Sequence, residues 1–148
     1  MLALRWPRCE AQRATFRKRL PMFSHIMVGT QQLDRAKTFY DAVLGTLGVP
    51  AGAVDRHRIF WRTPTGVFSA SLPINGEPAC AGNGSTVGFA CQSAEQAQAW
   101  HAAGLAHGGT ACEDPPGVRE GANGKLYLAY LRDPDGNKVC ALYRMPRA

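Results

Sequence analysis

Along this chain the apolar positions change their period several times, and the changes fall in the same order twice. Residues 23–30 (FSHIMVGT) form a β-rich run that predicts a strand. Leu33, Ala36, Phe39, Tyr40, Val43, Leu44 and Leu47 then recur at helical spacing until Gly45, Gly48 and Pro50 close the segment. Two short β-rich runs follow, residues 58–63 and 67–72, separated by the turn residues Pro64-Thr65-Gly66. A Gly- and Pro-rich connection leads to a second strand-like run at 86–91, and Ser93 reads as the N-cap of a helix over 94–107 that Gly108-Gly109 ends. Strands are expected at 110–113, 126–132 and 138–143. Asp133-Pro134-Asp135-Gly136 joins the last two, and a loop containing Pro115-Pro116-Gly117 and residues 121–124 precedes them.

The recurrence is a repeat at a nearly fixed offset. Shifted by 61, Ala36 falls on Ala97, Phe39 on Trp100, Ala42 on Ala103, Leu44 on Leu105 and Gly48 on Gly109. Later the offset is 70, pairing Arg62 with Arg132, Pro64 with Pro134 and Gly66 with Gly136. The expected domain therefore spans 22–148 as two βαβββ repeats, 22–78 and 85–146. Each is too small to bury a sheet face alone, so the two must share a core. The fold class is α+β: a cup-shaped mixed sheet with helices on the outer face and the other face left to enclose something.

Charge changes the picture only at one end. Of the formal +6, residues 1–21 hold Arg5, Arg8, Arg13, Arg17, Lys18 and Arg19 against Glu10, a net +5, while residues 22–148 hold +1. Three readings of this basic leader stand side by side: a disordered segment ahead of a working start at Met22, a targeting peptide, or a phosphate- or lipid-binding arm. The body carries no basic-aromatic stripe, so neither nucleic acid nor a membrane is expected as a partner. Five cysteines without a CxxC pair, and no secretory apolar segment, suit reduced thiols in the cytoplasm.

Three segments, residues 25–48 (HIMVGTQQLDRAKTFYDAVLGTLG), 86–100 (TVGFACQSAEQAQAW) and 127–142 (YLAYLRDPDGNKVCAL), carry a resemblance to the vicinal oxygen chelate superfamily. This is the glyoxalase, bleomycin-resistance and extradiol-dioxygenase group. The resemblance implies a cup whose concave side holds a divalent metal on four strand positions. Carried over, these are His25, its repeat partner Thr86, Cys140, and at offset 70 its partner Ala70. Histidine and carboxylate are the family's usual donors there, and a catalytic metal needs about three protein ligands. No metal or other cofactor is therefore expected, a bound divalent metal being the alternative.

His25 remains the best single candidate for a catalytic or ligand-contacting group, against the plainer reading of a half-buried strand histidine satisfied by a neighbour. Cys140, between Val139 and Ala141, reads as a small buried hydrophobe rather than a nucleophile. Met27, Phe60, Leu128 and Tyr130 are expected to line the cup with His25, Thr86 and Cys140. Arg58 is the first-unit counterpart of Leu128, which makes the lining aromatic and partly basic, suited to a planar or anionic molecule. His57 is expected to be exposed, His101 and His107 to be solvated or to cap the second helix, and Arg62 and Arg132 to bond loop backbone or an aspartate. Asp133 and Asp135 read as turn chemistry. The resulting expectation is a dimeric, glyoxalase-like protein that binds a small organic molecule, with metal-independent activity open. The alternatives are a metal-dependent lyase, isomerase or dioxygenase, and a drug-sequestering resistance protein.

Overall fold

A computed structural model describes residues 22–147; the basic leader lies outside the described residues. The first unit runs β1 (His25–Gly29), α1 (Leu33–Gly45), β2 (Ala53–Asp55), β3 (Arg58–Thr63) and β4 (Gly66–Ser71). The second runs β5 (Val87–Ala90), α2 (Ala94–Ala106), β6 (Thr110–Ala111), β7 (Gly117–Gly121), β8 (Gly124–Arg132) and β9 (Lys138–Arg144). Each unit builds a mixed sheet, ordered β1-β4-β3-β2 and β5-β9-β8-β6, with β7 also paired to β8. In both, the first strand lies parallel to the last and the other pairings are antiparallel. The expected α+β repeat architecture is present, as two sheets that stay separate.

Two strands went unrecognised in the sequence, and both carry little apolar signal. All three residues of β2 are exposed, and β7 falls where a loop was expected, paired through Gly117↔Leu128 and Val118↔Tyr127.

Strand alternation separates two faces of each sheet. Val28, Ile59, Trp61, Phe68 and Ala70 of the first sheet, and Phe89, Ala129, Leu131, Val139 and Ala141 of the second, turn toward the helices and join one core with Phe39, Tyr40, Val43 and Trp100. Aromatic rings carry this core across the repeat boundary: Tyr40 and Phe68 have centroids 4.6 Å apart, and Phe68 meets Phe89 edge-on at 5.2 Å. Burying one such ring fully is worth about 1.5–3 kcal/mol, so sharing the core gives each small unit what it lacks alone. The helices meet at Gly104, where a methyl group would overlap Leu131 Cδ1 and stand 3.2 Å from Val43 Cγ1.

A polar latch reinforces the apolar one. Asp133, 3% exposed, accepts bonds from the Tyr40 hydroxyl (2.7 Å), the Asp135 and Asn137 N–H groups (2.9 and 2.8 Å) and Asn137 Nδ2 (2.9 Å). Burial and the neighbouring Asp133 raise the Tyr40 pKa well above its ordinary value, so the phenol stays a donor. Asp135 reaches across to the first unit, accepting from the Thr30 hydroxyl (2.7 Å), the Gln31 N–H (2.9 Å) and Arg35 (2.8 Å). Turn chemistry therefore describes Asp133 in part, while Asp135 is an inter-unit tie. It stands at the entry to α1, whose own N-cap, Gln32, forms no side-chain cap. In α2 the expected cap is present: Ser93 accepts from the Gln96 N–H at 3.1 Å.

The β8–β9 connection is one residue longer than its β3–β4 counterpart, because Arg132 pairs with Lys138 whereas Arg62 pairs with Val67. The extra residue, Asn137, moves the repeat offset from 70 to 71 in the last strand. A similar slip follows the helices: Gly48 (φ +80°) matches Gly108 (φ +92°) as the left-handed residue ending each helix, not Gly109.

Candidate functional site

The faces turned away from the helices hold the expected site residues. On the first sheet the register aligns His25 with Val67, Met27 with Ser69, and Phe60 with Ser69, so His25, Met27, Arg58, Phe60, Arg62, Ser69 and Ser71 share one open face. His25 is exposed, with Nδ1 2.9 Å from the Ser24 hydroxyl, and Met27 is 40% exposed. Arg62 lies over Phe60, its guanidinium carbon 4.8 Å from the ring centroid. Two grooves of about 570 and 550 Å³ lie against this face, and Met27 and Arg58 border both.

The second sheet's open face carries Leu128 opposite Leu142 and Tyr130 opposite Cys140, with Gly88 beyond. Lys138 stands over the Tyr130 ring at 4.9 Å and pairs with Glu113. Burial pushes the Cys140 thiol up, an effect the nearby Tyr130 hydroxyl only partly offsets, and burial likewise raises Tyr130. The 4%-exposed Cys140 thiol is thus protonated near neutral pH and poorly nucleophilic. Thr86 sits one residue before β5, exposed.

Within one chain these residues fall into two sets. His25, Met27 and Phe60 gather on the first sheet, and Leu128, Tyr130 and Cys140 on the second. Neither groove on the first face takes a lining residue from the second sheet. A third, smaller cavity of about 270 Å³ lies between the units, lined by Ile26, Leu44, Trp61, Phe68, Val87 and Phe89 among others. Its walls mix core side chains such as Leu44, Trp61 and Phe68 with exposed Met22, Phe23 and Ile26, and of the expected site residues it holds His25 alone.

One expected position is corrected. Ala70 aligns with Val28 and Ile59, is fully buried, and points at the helices. The first-unit counterpart of Cys140 is Ser69, which aligns with Met27 as Cys140 aligns with Gly88. A one-residue register shift from Ala70 leads to Ser69 or Ser71, and the longer DPDGN turn selects Ser69. Ser69 offers a hydroxyl that is already bonded to the Ile26 carbonyl at 3.2 Å.

The other histidines have local roles. His57 departs from expectation, being half-buried with Nε2 enclosed and lacking a hydrogen-bond partner. His101 packs by the Tyr130 backbone, and burial lowers its pKa. His107 caps α2, its Nδ1 2.7 Å from the Ala103 carbonyl. Arg132 donates to the Gly136 carbonyl as expected of a loop-bonding arginine.

The sequence profile of the Glyoxalase/Bleomycin resistance protein/Dioxygenase superfamily matches residues 22–141. The chain belongs to this superfamily. A glyoxalase/bleomycin resistance protein from Albidiferax ferrireducens T118 is 64% identical, with a TM-score of 0.82, covering 83% of this chain and 99% of that one. A glyoxalase-related enzyme from Fulvimarina pelagi shares the fold at 17% identity and TM-score 0.64, over 84% of this chain and 89% of its own. A putative glyoxalase from Bacillus halodurans does so at 17% identity and TM-score 0.66, over 82% and 95%. Comparison with curated proteins gives no match.

The metal that membership implies would meet His25, Ser69, Thr86 and Cys140. One imidazole, two neutral hydroxyls and a protonated, buried thiol do not make the N/O⁻/S⁻ set a divalent metal requires. Among the described residues no group of three His, Cys, Asp or Glu side chains is placed to hold a metal ion. No helix among them is long and apolar enough to cross a membrane.

Proposed function

We propose that this protein binds a small organic molecule on the open faces of its sheets, in a site that two copies of the chain complete together. The carrying observation is the pair of helix-free faces. One presents Met27, Phe60 and exposed His25 and the other Leu128 and Tyr130, yet neither of the two grooves that Met27 and Arg58 border draws on the second sheet. A cup lined by both sets forms when the first sheet of one chain faces the second sheet of another. The partner is a homodimer mate and a small ligand, with no nucleic acid and no membrane.

The donor set favours binding without a resident divalent metal, and His25 is the group positioned to contact the ligand or exchange a proton with it. The four described cysteines are all free thiols, which suits the reducing cytoplasm.

Thermal-shift screening against neutral aromatic and thiol-conjugated compounds tests the binding reading, and light scattering on the eluting protein tests the dimer. Stabilisation by members of the library and a dimeric mass are expected. A screen without a stabilising compound, or a monomer that binds ligand fully, would overturn the shared site. Stoichiometric transition metal in the purified protein, lost in His25→Ala, would overturn the metal-free reading.

A further inference from the structure

We propose that the first sheet's open face recognises the oxyanion of an amphipathic small molecule, with the Arg58 guanidinium as its principal contact and Arg62 and His25 at the border. This rests on the ligand-binding reading above and names the ligand's chemistry.

Arg58 Nε is buried and has no hydrogen-bond partner. A guanidinium presents its donors as a planar fork, so an enclosed, unmatched N–H carries a standing cost that an arriving acceptor removes. Among the described residues, Arg35, Lys37, Arg119, Lys125 and Lys138 each stand within ion-pair distance of a carboxylate; Arg58 and Arg62 do not, nor do Arg56, Arg132, Arg144 and Arg147, none of which borders the grooves on this face. Asp55 is the cross-strand partner of Arg58 in register, yet the two form no ion pair. Arg58 borders both grooves on this face, and Phe60 and Arg62 border one of them with it.

The second unit supplies an internal control. By the same register, the position of Arg58 is held there by Leu128 and that of Phe60 by Tyr130: Phe60 aligns with Ser69 as Tyr130 aligns with Cys140. The fold accepts leucine at this place, so the cation answers to no demand of the scaffold. A carboxylate or a phosphonate matches the guanidinium fork through paired N–H···O bonds, and the planar body beside it would lie along Phe60.

The test is an NMR titration of the full-length protein, in phosphate-free buffer, with benzoate, phenylphosphonate and the neutral isostere benzamide. At least one anion is expected to bind tenfold or more tightly than benzamide, and the tighter of the two identifies the headgroup. Arg58→Leu should reduce that anion to the benzamide level while leaving the melting temperature of the free protein unchanged or higher. Arg58→Lys, which keeps the charge without the fork, should recover only part of the affinity. Benzamide binding as well as both anions, or anion affinity undiminished in Arg58→Leu, would overturn the inference while leaving ligand binding intact. If none of the three binds while the neutral aromatic library does, anion recognition alone falls; if neither set binds, both readings fall.

Discussion

The two sheets share a topology and a helix-facing chemistry but differ on their open faces. Toward the helices, Ile59, Trp61, Phe68 and Ala70 of the first sheet correspond to Ala129, Leu131, Val139 and Ala141 of the second, apolar for apolar. Toward the open side, Arg58 corresponds to Leu128 and Ser69 to Cys140, and exposed His25 corresponds to exposed Thr86. Packing constrains one face of a duplicated unit and leaves the other free to acquire separate chemistry in each copy. The two halves differ at the Arg58 position, where one is cationic and the other apolar, while Arg62 and Arg132 keep a cation on both faces.

The strongest way to break this comparison is to uncouple the halves. Asp133→Ala would strand the Tyr40 hydroxyl and the Asn137 backbone N–H in the interior, and a loss of about 3 kcal/mol is expected in urea unfolding. A loss below about 1 kcal/mol would mean that the Asp133 bonds add little to the apolar core and the Asp135 tie.

Next in size is the helix contact. Gly104→Ala gains about 1 kcal/mol of helix propensity but forces Leu131 and Val43 apart, so a net loss of about 1–2 kcal/mol is expected by the same measurement. A stabilised variant would show that α1 and α2 have slack between them.

The repeat and its two helices were legible in the sequence because buried positions such as Phe39 and Trp100, Ala36 and Ala97 keep their spacing. What escaped was set by contacts rather than by period. Strand β2 has no buried residue to announce it. Ser69 stood one residue from the expected Ala70 because Asn137 lengthens one turn and flips the apparent register, since a shift of one residue exchanges the faces of a strand. Asp135 looked local because its partners Thr30, Gln31 and Arg35 lie about a hundred positions away. Arg58 was visible as a basic lining residue, but its lack of a carboxylate partner is a property of the folded surface alone.

A smaller effect separates the units by pH. Burial acts to raise Asp41, but bonds from the Gly52 N–H, Lys37 and the Trp61 indole outweigh it and hold the carboxyl below its ordinary pKa. A folded pKa below the unfolded one gives stability that is present at neutral pH and is lost as pH falls through the folded value. Asp41→Asn should therefore cost about 1 kcal/mol at pH 7, and its gap from the parent should narrow below about pH 4. A gap constant from pH 7 to pH 3 would refute the assignment. Smallest of all is the stability change in Arg58→Leu, expected within about 0.5 kcal/mol of the parent because it installs the second unit's own residue.

The central claim, a ligand site shared between the Arg58 face of one sheet and the Leu128–Tyr130 face of the other, is tested most directly by mapping amide shifts during the benzoate titration. The expected perturbations fall in two sets at once, around His25, Met27, Arg58 and Phe60 and around Leu128, Tyr130 and Cys140. Shifts confined to the inter-unit cavity at Trp61, Phe68, Val87 and Phe89 would contradict it.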